Sequence, residues 1–280
     1  MSKIAVVTGA SRGIGKGIAL ELGAIGMTVY VTGRSVDGGM LPGTVGETAA
    51  QIDELGGRGV ALAVDHHDDA QVEAAVRRVL DEHGTIDVLV NNVFSAPDLA
   101  AWLGKPFWEL PVKAWDEVID IGCRSHYVAS AFAAPSMVAA KGGLIVNVTS
   151  DGAVQYAHNV PYGVGKAAVD KMTADMAHEL KPHGVAAISV WPGLVKTELV
   201  MFGAQTRDDG SQYLDLGGEG AFELGDAESP RFVGRGVAAL ASDPEVLVKT
   251  GRAIRVADLA DEYGFTDIDG SVPRLLIRNG

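Results

Sequence analysis

Tyr162 and Lys166 are residues with acid–base chemistry that stand four positions apart. Apolar residues then recur at steps of three and four, which predicts a helix; they are Val169, Met172, Met176 and Leu180. On a helix this spacing places both side chains on one face. A lysine ammonium beside a phenol favours the phenolate, so the tyrosine pKa should fall from ~10 toward neutrality. Such a tyrosine can exchange a proton with a substrate oxygen, although the same spacing also occurs on ordinary amphipathic helices.

A glycine-rich stretch near the N-terminus is typical of a phosphate-binding turn. Residues 3–8 have the pattern of a buried strand, and an apolar helix follows from residue 14 onward. Between them lies Thr8-Gly9-Ala10-Ser11-Arg12-Gly13-Ile14-Gly15. Glycines permit a tight turn and a close backbone approach to phosphate, and the free N–H groups of a helix N-terminus attract an anion. The order strand, glycine turn, helix therefore predicts a dinucleotide site.

The end of the second predicted strand indicates which dinucleotide. That strand, residues 28–32, runs into Gly33-Arg34-Ser35. An acidic residue here would bind a ribose 2′-hydroxyl, whereas an arginine accommodates a 2′-phosphate. Arg34, with Arg12 from the glycine turn, predicts NADP(H) rather than NAD; two solvated arginines are the alternative.

The composition bounds the class of protein. The chain has 280 residues, 47% of them hydrophobic, which is enough for one large α/β domain, 1–280. The net charge of −13 argues against a nucleic-acid or anionic-membrane partner. One cysteine, Cys123, allows no internal disulfide, and we find neither a signal peptide nor a membrane-length apolar run. A cytoplasmic location is expected.

Polar residues follow the third and fourth predicted strands. The third is followed by an acidic and histidine cluster, residues 65–69, whose consecutive spacing argues against a metal site; Asp68 or Asp69 should cap the next helix. The fourth, residues 86–90, ends in Asn91-Asn92-Val93-Phe94. This tandem asparagine is either a simple turn or a bridge between neighbouring backbone and cofactor.

Two segments without clear periodicity are expected near the pocket. The loop at about 95–112 contains Trp102, Phe107 and Trp108, and it forms either one wall of a pocket or a satellite core. The segment at about 201–227 is polar and glycine-rich, and we interpret it as a mobile insertion at the pocket mouth.

The second half of the chain continues the alternation. A helix is predicted over 115–140, and a fifth strand, 144–150, ends at Ser150, a candidate donor to a carbonyl oxygen. A sixth strand, 185–190, is followed by Trp191-Pro192-Gly193. A helix at 232–241 and a strand at 253–256 complete the predicted sheet.

The chain resembles the short-chain dehydrogenase/reductase family in its motifs and in their order. These motifs are the glycine turn, Asn91-Asn92, Ser150, Tyr162-x-x-x-Lys166 and Pro192-Gly193. Further motifs resemble the branch called dehydrogenase/reductase SDR family member one: Phe107-Trp108-Glu109, residues 159–166, Trp191-Pro192-Gly193, Asp258-Leu259-Ala260 and residues 267–270. The resemblance implies a doubly wound Rossmann fold, one seven-stranded parallel sheet with helices on both faces, assembled as a homodimer or homotetramer.

The resemblance also implies roles for individual residues. Tyr162 would be the general acid/base, Ser150 would hold the substrate oxygen, and Lys166 would lower the Tyr162 pKa and bind the nicotinamide ribose. Asn91 would lie near the adenosine-side ribose and Asp65 near the adenine. The predicted cofactor-binding residues are Gly9, Ser11, Arg12, Gly13, Ile14, Gly15, Arg34, Asp65, Asn91, Tyr162, Lys166, Pro192, Gly193, Val195 and Thr197.

Two positions depart from the family pattern. Phe94 stands where the family usually has glycine, which puts bulk beside the cofactor. Gly122 stands where the family usually has an asparagine whose backbone carbonyl helps to hold a water in the proton relay. Gly122 retains a carbonyl, and the member-one branch shares this glycine.

These motifs favour an NADPH-dependent carbonyl reductase or alcohol dehydrogenase acting on a small-molecule carbonyl or alcohol substrate of apolar character. One alternative is an NADPH-binding sensor or scaffold with weak catalysis, which the intact Ser150, Tyr162 and Lys166 argue against. Another is a different reaction with the same cofactor, such as enoyl reduction or epimerisation.

Overall fold

Seven parallel strands form the central sheet of the computed structural model, which describes residues 2–95, 102, 105–215 and 220–274. The strands are β1 (Ile4–Val7), β2 (Thr28–Gly33), β3 (Arg58–Ala63), β4 (Val88–Asn91), β5 (Gly143–Val148), β6 (Val185–Trp191) and β10 (Ala253–Arg255). Their order across the sheet is β10-β6-β5-β4-β1-β2-β3. The inner strands are buried on both faces, which explains their apolar runs, whereas the edge strand β3 is partly exposed.

Helices cover both faces, as predicted. They are α1 (Gly13–Ala24), α2 (Val45–Glu54), α3 (Asp69–His83), α4 (Val112–Ile119), α5 (Ser125–Ala140), α6 (Val160–Leu180), α7 (Glu198–Gly203), α8 (Pro230–Ser242) and α9 (Val256–Tyr263). Buried residues of α1, α2, α8 and α9 form one core, and those of α3, α5 and α6 form the other. The predicted Rossmann fold is confirmed.

The chain reverses its direction across the sheet between β1 and β4. From β1 it proceeds outward to β2 and β3, and then returns to pair β4 against the other side of β1. At such a switch point the connections that leave the two adjacent strands run to opposite faces of the sheet, and ligands of this fold bind in the crevice outside the carboxyl ends of the strands. The glycine turn, Asn92, Ser150 and Pro192 follow strands at this edge, and Asn91 is the last residue of β4.

Two elements differ from the sequence prediction. The helix predicted over 115–140 is interrupted by one π-helical turn, Asp120–Arg124, which we call the π-turn. The segment at about 201–227 contains a small antiparallel sheet of β7 (Gln205–Thr206), β8 (Gln212–Asp215) and β9 (Ala221–Glu223). Its strands are too short and polar to give an alternating pattern, since they carry hardly any core residues.

The loop at about 95–112 is described only in part, because residues 96–101 and 103–104 lie outside the described residues. Trp102 is buried against Ala114 and Val118, so it belongs to a satellite core rather than to a pocket wall. Phe107 and Trp108 are exposed and pack edge to face on each other. Of the two alternatives for this loop, the position of Trp102 supports the satellite core, and the pocket wall stays a prediction for the rest of the loop.

Candidate active site

Ser150 and Tyr162 bring two hydroxyl groups together at the crevice. The Ser150 Oγ and Tyr162 hydroxyl oxygens are 3.0 Å apart. Ser150 lies just beyond β5, and its Oγ also accepts a hydrogen bond from the Gly152 N–H at 3.2 Å. Tyr162 lies in the first turn of α6, where the Asn159 side chain caps the helix by accepting from the Tyr162 N–H at 3.0 Å. Strand end and helix cap thus fix both groups.

Lys166 lies one helical turn after Tyr162, as the spacing predicts. Its Nζ is 5.6 Å from the centre of the Tyr162 ring and donates to the Val148 carbonyl at 3.4 Å. Burial lowers the pKa of the amine to about 8, and the nearby Asp170 carboxylate opposes this shift. The amine is therefore largely cationic below pH 8 and can stabilise negative charge on the Tyr162 oxygen.

The glycine turn packs too closely for side chains. Gly9 has a φ of +64°, and a Cβ there would lie 2.7 Å from the Val93 Cα. A Cβ at Gly15 would lie 2.4 Å from the Asn92 side-chain nitrogen. That nitrogen donates to the carbonyls of Thr8 and Gly9, each at 3.0 Å. Asn92 therefore holds the turn that begins α1, which confirms its predicted bridge to neighbouring backbone.

Two adjoining cavities lie along the crevice. The larger, about 390 Å³, shares Gly9, Arg12 and Phe94 with the second. Its other lining residues include Ser150, Tyr162, Lys166, Asn92, Gly13, Ile14, Pro192, Gly193, Val195 and Thr197. The smaller, about 210 Å³, is lined by Ser11, Arg34, Ser35, Asp65, His66, His67 and others. An elongated ligand with an anionic middle fits these two cavities, since the glycine turn lies where they meet.

Arg12 and Arg34 supply positive charge at the smaller cavity. The Arg12 guanidinium donates to the Ser35 Oγ at 3.0 Å and to the Gly43 carbonyl at 2.8 Å, which ties the glycine turn to the loop after β2. Arg34 is exposed and lines the cavity together with Asp65. No carboxylate follows β2 directly, because the next residues are Arg34 and Ser35.

The Asn91 side chain is buried inside the fold and does not line either cavity. It is fully buried, and its amide nitrogen donates to the Ser130 Oγ at 2.9 Å and to the Asn147 Oδ1 at 2.8 Å. These contacts join β4 to β5 and α5 inside the sheet. The predicted ligand contact of Asn91 can therefore involve only its backbone.

Two glutamates that the sequence prediction missed contact the backbone of the site. Glu198 accepts a hydrogen bond from the Gly13 N–H at 2.7 Å, at the N-terminus of α1. Glu228 is buried, and its carboxylate accepts from the Gly193 N–H. Burial raises the Glu228 pKa to about 8. Glu198 could have been found from the sequence, because it directly follows the predicted cofactor-binding residue Thr197. Glu228 could not, because only the tertiary fold brings it to the site.

Residues of the acidic and histidine cluster, 65–69, make hydrogen bonds that stabilise the fold. Asp68 caps α3 by accepting from the Ala70 and Gln71 N–H groups, as predicted. His66 is buried, and its Nε2 lies 2.9 Å from the Thr32 Oγ1. Among the described residues, no group of three or more histidine, cysteine or acidic side chains is placed to hold a metal ion. Over all the residues that the structure describes, no helix is long and apolar enough to cross a bilayer.

Comparison with known proteins identifies the family. Residues 3–208 match the family model described as short chain dehydrogenase. The chain belongs to the short-chain dehydrogenase/reductase family. It is 44% identical over 273 residues to "Dehydrogenase/reductase SDR family member 1" of Mus musculus, and 42% identical over 270 residues to the protein of that name from Homo sapiens. Each match spans 96% of this chain and 84% of the relative, so the predicted likeness to that branch of the short-chain dehydrogenase/reductases is confirmed.

A solved short-chain dehydrogenase/reductase shows the same architecture. A metagenomic short-chain oxidoreductase, crystallised in complex with NADP, aligns with a TM-score of 0.69 at 28% identity, over 90% of this chain and 96% of its own. The chain is therefore an oxidoreductase of the short-chain dehydrogenase/reductase family, which uses nicotinamide cofactors.

Proposed function

We propose that this protein is an NADP(H)-dependent oxidoreductase that interconverts a carbonyl and an alcohol, with Tyr162 as general acid/base. The observation that carries the proposal is the 3.0 Å contact between the Ser150 and Tyr162 hydroxyls, with the Lys166 amine beside the same ring. Two hydroxyl donors that converge on one point can bind one substrate oxygen. A sensor or scaffold would need no such convergence.

Each residue of the site has a distinct task in this proposal. Ser150 holds and polarises the substrate oxygen, while Tyr162 donates a proton to it in reduction and accepts one in oxidation. The cationic Lys166 amine stabilises the Tyr162 oxygen when it has given up its proton. The cap at Asn159 and the Gly152 N–H keep the two hydroxyls aligned.

The residues present fit a nicotinamide dinucleotide. The glycine turn would hold the phosphates, and Arg12 and Arg34 at the smaller cavity would hold the 2′-phosphate of NADP(H). The nicotinamide end would lie in the larger cavity, against Pro192, Gly193, Val195 and Thr197. When bound, this cofactor supplies or accepts the hydride. NADP in the related crystal structure supports NADP(H) over NAD.

We also propose an apolar substrate, a homodimer or homotetramer, and a cytoplasmic location. Phe94, Leu199 and Val200 line the larger cavity together with the two hydroxyl groups, which favours a substrate with an apolar part.

The test is oxidation of NADPH and of NADH by the purified protein against a panel of ketones, aldehydes and quinones, with each product identified by mass spectrometry. The proposal expects an alcohol product and faster turnover with NADPH. Tight NADPH binding with no product from any carbonyl compound would overturn it and favour the sensor or scaffold. A reduced C=C bond with the carbonyl left intact would favour enoyl reduction.

A further inference from the structure

The two positions that depart from the family pattern are in contact with each other. Gly122 lies buried in the π-turn. A Cβ at Gly122 would lie 3.2 Å from the Cδ2 and 3.5 Å from the Cε2 of the Phe94 ring. Even the first atom of a side chain there would press on the ring, and the amide of an asparagine needs more space still. The bulk of Phe94 and the missing side chain at Gly122 are therefore complementary.

The same ring contacts the acid–base residues. The Lys166 Nζ lies 5.2 Å from the centre of the Phe94 ring, within the range of a cation–π interaction. Phe94 and Tyr162 pack edge to face with their centroids 6.0 Å apart. Phe94 also lines both cavities, at their junction. One aromatic ring thus touches the amine, the phenol and the ligand crevice.

We propose that Phe94 is a positioning residue for Lys166 and Tyr162, and that Gly122 is retained to make room for its ring. The proposal rests on the function proposed above. The ring occupies the space beside the Gly122 backbone and offers its π face to the ammonium. Phe94 and Gly122 then act as one unit, in which neither residue can be changed to the family type alone without loss.

Few of the ionisable groups around Lys166 carry charge near neutral pH, so the Phe94 ring can contribute to stabilising the ammonium. Asp170 lies one turn further along α6, and burial raises its pKa. Cys123 in the π-turn has a pKa raised by burial, and burial lowers the pKa of His126 on α5 to about 3. Neither Cys123 nor His126 carries charge near neutral pH. Among the described residues, Asp170 supplies the carboxylate that acts on this cation, and the Phe94 ring lies beside the same amine.

The first experiment is a double-mutant cycle of wild type, Phe94→Ala, Gly122→Asn and the double variant. Thermal unfolding of the cofactor-free protein and the kcat and KM for NADPH-dependent turnover are measured for each. Each single variant should lose roughly tenfold or more in kcat, and Gly122→Asn should lower the Tm, because the side chain and ring compete for space. In the double variant, Phe94→Ala should restore most of the Tm that Gly122→Asn removed, and kcat should be no lower than in Phe94→Ala alone, because the clash is gone but the ring is still missing. The exposed Phe107→Ala is the matched control and should change neither.

The second experiment needs no turnover and no double variant. Phe94→Leu keeps an apolar side chain over the amine but removes the π face. The Lys166 pKa, measured in cofactor-free protein by competitive amine labelling and mass spectrometry, should fall by about half a unit, because a cation–π contact favours the charged form.

The outcomes separate this inference from the proposed function. Additive Tm effects in the cycle, or an unchanged Lys166 pKa in Phe94→Leu, would overturn the positioning role even if the wild type reduces carbonyls rapidly. If the wild type reduces nothing, the proposed function fails, yet the Tm cycle and the pKa still decide whether the ring positions Lys166.

Discussion

In the proposed function, single charged residues set the cofactor preference of the crevice. Arg34 lines the smaller cavity where the second strand ends, and no acidic side chain follows that strand directly. Glu198 places a carboxylate on the Gly13 N–H at the start of α1, where a phosphate of the cofactor is expected to bind. Under the proposed function, Arg34 would attract the anionic cofactor and Glu198 would compete with it.

Arg34→Asp should reverse the cofactor preference. Loss of a charge-assisted contact to the 2′-phosphate should raise the Kd for NADPH by roughly 10- to 100-fold, while the Kd for NADH stays equal or falls. Fluorescence titration with both cofactors measures this. Arg77→Asp, on the exposed face of α3, is the control for net charge. An unchanged ratio of the two Kd values would remove Arg34 from the specificity site.

Glu198→Gln should tighten NADPH binding. The substitution keeps the size of the side chain but removes negative charge from a helix N-terminus, so we expect a roughly two- to fivefold lower Kd. The gain should shrink as salt rises, since screening weakens the repulsion. Glu54→Gln, exposed at the end of α2, should have no effect. Weaker binding in Glu198→Gln would show that the carboxylate assists the ligand instead.

At the scale of elements, the site depends on how helix and strand ends are fixed. Asn159 caps α6 through the N–H of Tyr162 itself, whereas Thr44 caps α2 in a reciprocal capping box with Glu47, away from the Ser150–Tyr162 pair. These two caps provide a matched comparison, because both stabilise a helix but only the cap at Asn159 also holds Tyr162, the proposed acid/base.

Asn159→Ala and Thr44→Ala should each lower the free energy of unfolding by ~1 kcal/mol. Only Asn159→Ala should also lower kcat, because the first turn of α6 carries Tyr162. Urea unfolding and steady-state kinetics on both variants test this. Equal kcat values in the two variants would show that the cap at Asn159 does not position the tyrosine.

Much of this arrangement follows from sequence, and the exceptions have a common cause. Apolar runs, turn glycines and strand ends predict the sheet and place Ser150, Tyr162 and Lys166 at one edge, since these signals are local. The roles of Asn91 and Glu228 depend on contacts across strands and with distant loops. The contact between Phe94 and Gly122 likewise depends on the π-turn, which no local pattern indicates.

For the whole molecule, a buried carboxyl should make stability depend on pH. Glu228 lies within the fold against the Gly193 N–H, with the Asp267 carboxylate nearby, and burial raises its pKa from 4.5 to about 8. Between these values the folded state binds more protons than the unfolded state, so stability falls as pH rises. The loss begins near pH 4.5 and is complete above pH 8.

Glu228→Gln should remove this component of the pH dependence. Relative to the variant, the wild type should lose up to about 4 kcal/mol of unfolding free energy between pH 4.5 and 8. Urea unfolding at several pH values measures the difference, with the exposed Glu179→Gln as control. A constant difference between wild type and Glu228→Gln across this range would show that the carboxyl is already ionised in the fold.

The most direct test of the central claim is NADPH-dependent carbonyl reduction by Tyr162→Phe, measured beside NADPH binding in the same preparation. Tyr127→Phe, on the exposed surface of α5, is the matched control. We predict that Tyr162→Phe loses at least ~10²–10⁴-fold in kcat, the usual contribution of a general acid, with an NADPH Kd close to that of wild type. Turnover retained by Tyr162→Phe with normal NADPH binding would contradict the account.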